Sequence, residues 1–397
     1  MISTEMFKTR SEIIDRSMPR INGNNQYKGK TVVALDGGYS AVKGVSPERL
    51  FCFPSFAKKI DKELEAVGDV RSFDIQYKDN KSGAIYLVGQ NAMNLIEQAD
   101  IDSVTDASLY TRYRYDSDIY KVVMSTGLAI GCIGSGSNEI FLQTGLPATY
   151  KERDEKKLIS ALSGDYDISI KLGAKPWMRF QFTLPEDHIF VMEQPQGTLC
   201  GCAYTVDGVS AFGRDILKSN TIILDLGFGT EDHFVVKAGY KNAHQTYTDT
   251  AMKSVFEETL KELSRSYPIE NKIFELQNHL DTGKITYIDP YEFPIVMHEI
   301  DFSKTLEQKN HELCDKSIRR LLLDYDNLKE YRYLIVSGGT GEARFEQIRD
   351  TLKGITTLNV ISGNIAHPDI PCIYNNVMGY YIFRYTAIVK QMKKLGQ

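Results

Sequence analysis

The residues of this chain whose types and spacing suit chemistry lie in three glycine loops, each behind an apolar run. The first is Asp36-Gly37-Gly38-Tyr39-Ser40-Ala41-Val42-Lys43, after Thr31–Leu35. A hairpin turn built on glycine lets backbone N–H groups approach phosphate oxygens without obstruction by a Cβ. An aspartate at the strand end can hold a water of a hydrated magnesium ion. Lys43, on the returning strand, can reach back to phosphate as a point charge. The same residues also suit a plain β-hairpin with a solvated lysine.

Asp225-Leu226-Gly227-Phe228-Gly229-Thr230 repeats the pattern behind Thr221–Leu224. Two such loops in one chain can clamp a polyphosphate and magnesium, which one loop would not argue by itself. Ser337-Gly338-Gly339-Thr340-Gly341-Glu342 is the third loop, between the apolar run Tyr333–Val336 and a helix-like stretch. Its glycines permit close approach of a base or ribose, and a helix N-terminus favours an anion. Better-known nucleotide motifs fail. In Lys28-Gly29-Lys30-Thr31 the preceding Gly23 is one residue too far for a P-loop, and a strand follows. Neither Gly134-Ser135-Gly136 nor Gly227-Phe228-Gly229 carries the third glycine of a dinucleotide fingerprint.

The elements that must position these loops follow from periodicity. Thr31–Leu35, Ala41–Val45 and Arg49–Phe53 read as a three-strand meander, and Thr221–Leu224 with His233–Lys237 as a second. Residues 1–30 are polar and read as an extension with a short helix near Glu12–Arg16. Residues 57–118 read as an inserted small subdomain with a strand at Ala84–Val88 and a helix at Gln90–Gln98. Tyr120–Ile133 and the small-residue run Pro195–Val206 read as helices. Further helices are expected behind Asp249-Thr250, around Cys314–Tyr325, and after Gly379. An apolar strand ending in Asp-x-Gly thus occurs twice, which suggests an internally repeated, two-lobed α/β chain.

Composition excludes other classes. Hydrophobic residues are 42% and charged residues 25% of 397, so the chain is globular rather than disordered. A net charge of −5 argues against a broad basic surface for nucleic acid or acidic lipid. The longest weakly polar run, Val122–Gly134, is too short to span a bilayer, which takes about 20 apolar residues. The first residues mix charge and lack the apolar core of a secretory signal, so a cytoplasmic protein is expected. The six cysteines show no CxxC, and the seven histidines show no metal-ligand spacing. Buried, reduced thiols are the expectation.

The three loops in this order resemble the actin-like ATPase superfamily. Asp36, Gly38 and Lys43 match its first phosphate motif, Asp225, Gly227, Gly229 and Thr230 its second, and Gly338, Gly339 and Gly341 its adenosine motif. The chain looks most like the ParM group of plasmid-segregation actins. Phe53-Pro54-Ser55, Thr144-Gly145-Leu146-Pro147, Tyr331–Glu342 and Asn376-Val377-Met378-Gly379-Tyr380 carry that likeness. Tyr39 stands where a small hydroxyl residue is usual, with Ser40 beside it.

The resemblance implies a two-lobed actin-like (ribonuclease H-like) α/β fold, each lobe a mixed five-stranded sheet with helices and a smaller inserted subdomain. Lobe I would take residues 31–205 with the C-terminal helix 380–397, and lobe II 206–379 with a small subdomain near 250–310. It implies ATP, with GTP as the alternative, and Mg2+ held through water by Asp36 and Asp225. Gly37, Gly38, Tyr39, Ser40, Lys43, Gly227, Phe228, Gly229, Thr230, Asp249, Gly338, Gly339, Thr340, Gly341 and Glu342 would bind the nucleotide. Glu193, with Asp36 and Asp225, would serve hydrolysis by orienting water. A helix N-terminal acid is the alternative for Glu193, and an N-cap for Asp249. The implied function is a filament-forming ATPase driving plasmid segregation through a ParR-type DNA-binding adaptor on a centromere-like site, without touching DNA itself. A membrane-linked cytoskeletal or division protein is the alternative, resting on Arg384, Lys390, Lys393 and Lys394 opposite an apolar stripe of the last helix. A sugar-kinase-like phosphotransferase is a further alternative, without a candidate catalytic aspartate.

Overall fold

The computed structural model describes residues 4–21, 29–65, 70–71, 73–95, 114–136, 139–205, 207–269, 272–289 and 291–394. Lys28, residues 96–98 of the expected helix and Leu395 of the last apolar stripe lie outside them. The chain divides into two compact units. One holds residues 9–215 and 363–394, the other residues 4–8 and 216–362.

In the first unit the strands are β1 (Glu12–Asp15), β2 (Lys30–Gly37), β3 (Ala41–Val45), β4 (Arg49–Pro54), β5 (Ala57–Ile60), β6 (Ile75–Asp79), β7 (Ile85–Val88), β8 (Glu139–Leu146), β9 (Gly164–Leu172), β10 (Met178–Leu184) and β11 (Ile189–Glu193), with a two-residue ladder of β12 (Tyr204–Thr205) and β13 (Gly208–Val209). Its main sheet runs β1-β4-β3-β2-β8-β11. β2, β3 and β4 form an antiparallel meander, and β2, β8 and β11 are parallel.

The apolar run of β2 reflects burial on both faces. Val33 and Leu35 enter one core with the helix Asp118–Cys132, and Val32 and Ala34 enter another with the helix Asn375–Lys394. The first helix comes close because Gly131 has no side chain: a Cβ there would lie 2.8 Å from Val33 Cγ1. The helix Gln194–Ala203 packs on Asn375–Lys394 for the same reason, since a Cβ on Gly379 would fall 1.7 Å from the Gly197 carbonyl oxygen. A second sheet, β10-β9-β6-β7-β5, takes its strands from both 57–88 and 164–184.

In the second unit β14 (Thr221–Leu226), β15 (Glu231–Lys237) and β16 (Tyr240–Tyr247) form an antiparallel meander. β17 (Lys284–Ile288) and β18 (Met297–Asp301) form a separate ladder, while β19 (Tyr333–Ser337) and β20 (Asn359–Ser362) extend the main sheet in parallel. The order β16-β15-β14-β19-β20 repeats β4-β3-β2-β8-β11 strand for strand and in the same directions. Ile222, Leu224, Leu334 and Val336 pack against Cys314, Ile318 and Leu321 of the helix Ser303–Asp324 and Ile348 and Leu352 of the helix Gly339–Leu352. The architecture is mixed α/β, with one such sheet in each unit.

The extension departs from the reading of residues 12–16 as a helix. Glu12–Asp15 is strand β1, paired antiparallel with β4. An open sheet edge offers a row of unsatisfied backbone groups, and pairing there outweighs the weak nucleation of a short helix. The main sheet therefore has six strands, the sixth supplied by the extension. Residues 4–7 form a 3-10 turn in the other unit, where Thr4 Oγ1 donates to the Leu280 carbonyl at 2.6 Å.

The last helix begins at Asn375, ahead of Gly379. Its apolar stripe, including Tyr381, Ile388 and Met392, is buried in the core, and Arg384 lies 3.3 Å from the centre of the Phe190 ring. The Arg384 guanidinium donates to Gln143 Oε1 at 2.9 and 3.0 Å. The apolar stripe behind a lipid-surface reading is thus spent on packing together with Arg384, while Lys390, Lys393 and Lys394 are exposed. No helix among the described residues is long and apolar enough to cross a membrane. All six cysteines are buried thiols that form no disulfide, and burial pushes the Cys52, Cys132, Cys200 and Cys314 thiols up to about 12.

Candidate nucleotide site

In the first unit the β2–β3 register places Asp36 directly opposite Lys43. Lys43 Nζ stands 3.3 Å from Asp36 Oδ2. Asp36 is 3% exposed, and its other oxygen accepts a hydrogen bond from Gln194 Nε2 at 2.9 Å. The hairpin tip is braced from behind: Ser55 Oγ donates to the Gly38 carbonyl and Ser55 N to the Ser40 carbonyl, both at 2.9 Å. A Cβ on Gly38 would fall 2.8 Å from the Ala41 carbonyl oxygen, so the turn is closed to any larger residue. Tyr39 lies with its ring centre 4.2 Å from the Arg114 guanidinium carbon.

Glu193 ends β11 and precedes the helix Gln194–Ala203, which has Pro195 in its first turn. Its side chain does not cap that helix. The bond from Gln194 to Asp36 brings this connection to the carboxyl end of β2. Asp36, Gly37, Gly38, Tyr39, Ser40 and Lys43 thus share one strand end with Gln194, the immediate neighbour of Glu193.

In the second unit Asp225 is opposite Asp232 rather than a lysine. Asp232 is 1% exposed and accepts from Thr246 Oγ1 at 2.5 Å. The turn closes through Gly227 N to the Thr230 carbonyl at 2.8 Å, and Thr340 Oγ1 donates to the Gly227 carbonyl at 2.8 Å. The third loop therefore lies against the second hairpin. Gly338 allows this with φ +84°: a Cβ there would fall 2.2 Å from the Leu226 carbonyl and 2.9 Å from Asp225 Oδ1. Gly338 caps the helix Gly339–Leu352, whose first turn carries Thr340, Gly341 and Glu342. The structure thus brings Asp225, Gly227, Phe228, Gly229, Thr230 and Gly338–Glu342 together at the carboxyl ends of the parallel strands β14 and β19, where open α/β sheets hold ligands.

Asp249 lies at the entry to the helix Met252–Leu263, which touches this hairpin through Lys253 N donating to the Phe228 carbonyl at 2.8 Å. Its carboxylate, however, is held by Lys316 and Arg320, each at 2.7 Å. Partial burial would raise its pKa, but hydrogen bonds from Arg320 and Lys316 outweigh that and hold it down to about 2. Among the described residues no group of three or more His, Cys, Asp and Glu could hold a metal on its own.

Two residues escaped the sequence reading. Gln194 gave no signal beyond standing next to Glu193, and its contact with Asp36 needs the β2-β8-β11 order. Arg114 follows a polar stretch without motif, and its partner Tyr39 lies 75 positions earlier in the sequence.

No protein-family model matches the chain, and no curated protein matches it. Solved structures do. A non-polymerisable quadruple mutant of pCBH ParM aligns over 90% of this chain and 99% of its own at 18% identity, with a TM-score of 0.67. A ParM of Bacillus thuringiensis with ATP aligns over 91% and 100% at 16% identity and a TM-score of 0.54. A filament structure of Alp12 aligns over 92% and 100% at 14% identity and a TM-score of 0.54. The fold is that of the actin-like proteins. Within that class, the chain has the fold seen in ParM and the Alp proteins.

Proposed function

We propose that this chain is a nucleotide-dependent, filament-forming ATPase of the actin-like type that drives plasmid DNA segregation. The observation that carries the reading is the recurrence of an Asp–Gly hairpin at the same strand ends of two sheets with one topology. One hairpin adds a lysine and the other adds the Gly338–Glu342 loop. Both would engage one nucleotide: Gly37–Ser40 and Gly227–Thr230 through backbone N–H groups, and Lys43 through its charge. The third loop would meet the nucleoside. The residues fit such a ligand, because the close approaches at Gly38 and Gly338 leave these backbones bare of side chains. Asp36 and Asp225 would hold Mg2+ through water, the ion supplying charge neutralisation of the phosphates. Glu193 would orient the attacking water.

The ParM of Bacillus thuringiensis described with ATP, the Alp12 filament and the ParM mutant made non-polymerisable share this fold, and that supports nucleotide binding and self-association here. Head-to-tail contacts are heterologous and do not close, so assembly of this kind gives filaments. A ParR-type adaptor on a centromere-like plasmid site would be the partner, and the net charge of −5 agrees with a chain that leaves DNA to it. The cytoplasm is the expected compartment.

Light scattering with pelleting, after ATP and Mg2+ are added to the pure protein, tests the reading. The expected result is growth followed by decay, in step with phosphate release. Nucleotide binding without scattering in any nucleotide state, with ATP or GTP, would count against the filament.

A further inference from the structure

Beneath the second hairpin the core changes character. Glu231 and His233 of β15 lie opposite Leu226 and Leu224 on the sheet face that packs against the helix Ser303–Asp324. Both are fully buried, where apolar residues would fill the same space. Instead His233 Nε2 pairs with Glu231 Oε1 at 2.7 Å, and the other Glu231 oxygen accepts from the Thr250 hydroxyl. Burial by itself would raise the Glu231 pKa, but hydrogen bonds from His233, Thr250 and Ser317 outweigh it and hold the carboxyl below its usual range.

Thr250 meets a second buried charge on its other side. Its carbonyl accepts from Arg344 Nη1 at 2.7 Å, and Arg344 Nε donates to Asn310 Oδ1 at 2.8 Å. Arg344 is 1% exposed and lies on the helix Gly339–Leu352, which the third loop opens. Thr250 is itself buried, and its hydroxyl oxygen also accepts from Arg320 Nη1 at 3.3 Å. It does not cap the helix Met252–Leu263, whose N-cap is Ala251. Thr250 thus joins the carboxylate behind the second hairpin to the guanidinium behind the third loop, through its hydroxyl on one side and its carbonyl on the other.

Stability does not account for this arrangement. Buried charge networks can be replaced by apolar side chains of similar volume without loss, and here His233 Nδ1 and Arg344 Nη2 are left without a hydrogen-bond partner. What the network fixes is a position. Thr250 leads into the first turn of the helix Met252–Leu263, whose N–H groups hold the hairpin: Met252 N donates to the Gly227 carbonyl at 3.4 Å and Lys253 N to the Phe228 carbonyl at 2.8 Å. In a trans peptide the carbonyl and the N–H point in opposite directions. Holding those two carbonyls toward the helix turns the N–H groups of Phe228 and Gly229 away from it.

We propose that Thr250 is a positioning residue for the second hairpin, held in place by the buried charges of Glu231 and Arg344. It acts through the helix Met252–Leu263 on the peptides of residues 227–229, and it makes that hairpin and the third loop respond together to one ligand. The inference rests on the nucleotide-binding reading above and deepens it: the group so positioned for is the phosphate chain of a nucleoside di- or triphosphate.

The test measures ATP and ADP affinities by titration calorimetry on the full-length chain. Thr250→Val keeps the shape of the side chain and removes the hydroxyl, whereas Thr250→Ser keeps the hydroxyl. Both affinities should fall about tenfold in Thr250→Val and stay within about twofold of the wild type in Thr250→Ser. The double variant Glu231→Leu, His233→Leu separates position from stability. Its apolar side chains fill the core, so the melting temperature should hold or rise while both affinities fall about tenfold. Wild-type affinities in the folded double variant would make the network merely structural and overturn the proposal, as would equal losses in Thr250→Val and Thr250→Ser. A measurement on the wild type does not depend on any variant folding. ADP should slow backbone amide exchange over residues 250–256 as well as over the hairpin, and protection of the hairpin alone overturns the linkage. Should the wild type bind neither ATP nor ADP, the nucleotide reading fails as well. Normal wild-type binding that Thr250→Val leaves untouched overturns the positioning role alone.

Discussion

The two Asp–Gly hairpins occupy equivalent places in sheets of the same topology, yet they are built by different means. In the first, Asp36 faces Lys43 across the ladder and is tied to Gln194 by a hydrogen bond. In the second, Asp225 faces Asp232, and the turn is held by the Gly227 N–H to Thr230 carbonyl bond, by the Thr340 hydroxyl and by a loop whose Gly338 lies against Leu226 without a side chain. One hairpin brings a cationic side chain, the other a close-packed backbone. A repeated fold fixes where a strand ends and where its N–H groups point. It leaves the cross-strand partner free to vary, because that side chain does not determine the path of the chain.

The largest effect is expected where the second hairpin depends on a missing side chain. Gly338→Val puts a β-branched residue at φ +84° and drives its Cβ into the Leu226 carbonyl. A loss of about 2–4 kcal/mol in unfolding free energy, with nucleotide binding abolished, is expected from denaturant titration. Next comes the charge of the first hairpin. Lys43→Ala should weaken ATP binding about tenfold or more, while Thr340→Ala, which removes one neutral bond to Gly227, should weaken it only a few-fold. Equal losses in the two variants would erase the distinction between a cationic and a close-packed hairpin.

Hydrolysis supplies a third measure. Glu193→Ala should assemble normally but release phosphate at least tenfold more slowly, so that filaments persist. Unchanged release would take Glu193 out of the mechanism and leave its neighbour Gln194, bonded to Asp36, as the residue to test.

The smallest effect concerns Asp249. Its depressed carboxyl pKa means that it binds protons more readily in the unfolded chain. Its contribution to stability is therefore present above about pH 4 and is lost as the pH falls toward 2. The stability gap between wild type and Asp249→Asn should be modest at pH 5 and narrow by pH 3 in paired thermal melts, because the side chain is 49% exposed and solvent screens the pair. A direct role in nucleotide binding would instead appear as a change in affinity at neutral pH.

Much of the molecule was legible in sequence where local pattern and tertiary demand agree. The apolar runs of β2 and β14 are buried on both faces, which is why they read as short continuous strands before Asp-x-Gly. The helices behind Asp249-Thr250 and around Cys314 carried their periodicity into the cores of the second unit. Where pattern and context part, the reading failed. Glu12–Asp15 has little signal of its own and is a strand because β4 offered an edge. The basic face of the last helix suggested a surface role for Arg384, which is instead drawn in against Phe190 and Gln143. Neither partner is near it in sequence.

What the sequence determined by itself was the set of loops: glycines where a turn admits nothing larger, aspartates at strand ends, and a lysine at the spacing that returns it across a hairpin. These are local properties, fixed by steric limits within a few residues. The tertiary structure decided which side chains those loops meet. It placed Gln194 on Asp36, laid the Gly338 loop against the second hairpin, and buried Arg114 beneath Tyr39. Such pairings depend on strand order and on which helix covers which face, and the packing of the whole sheet sets both.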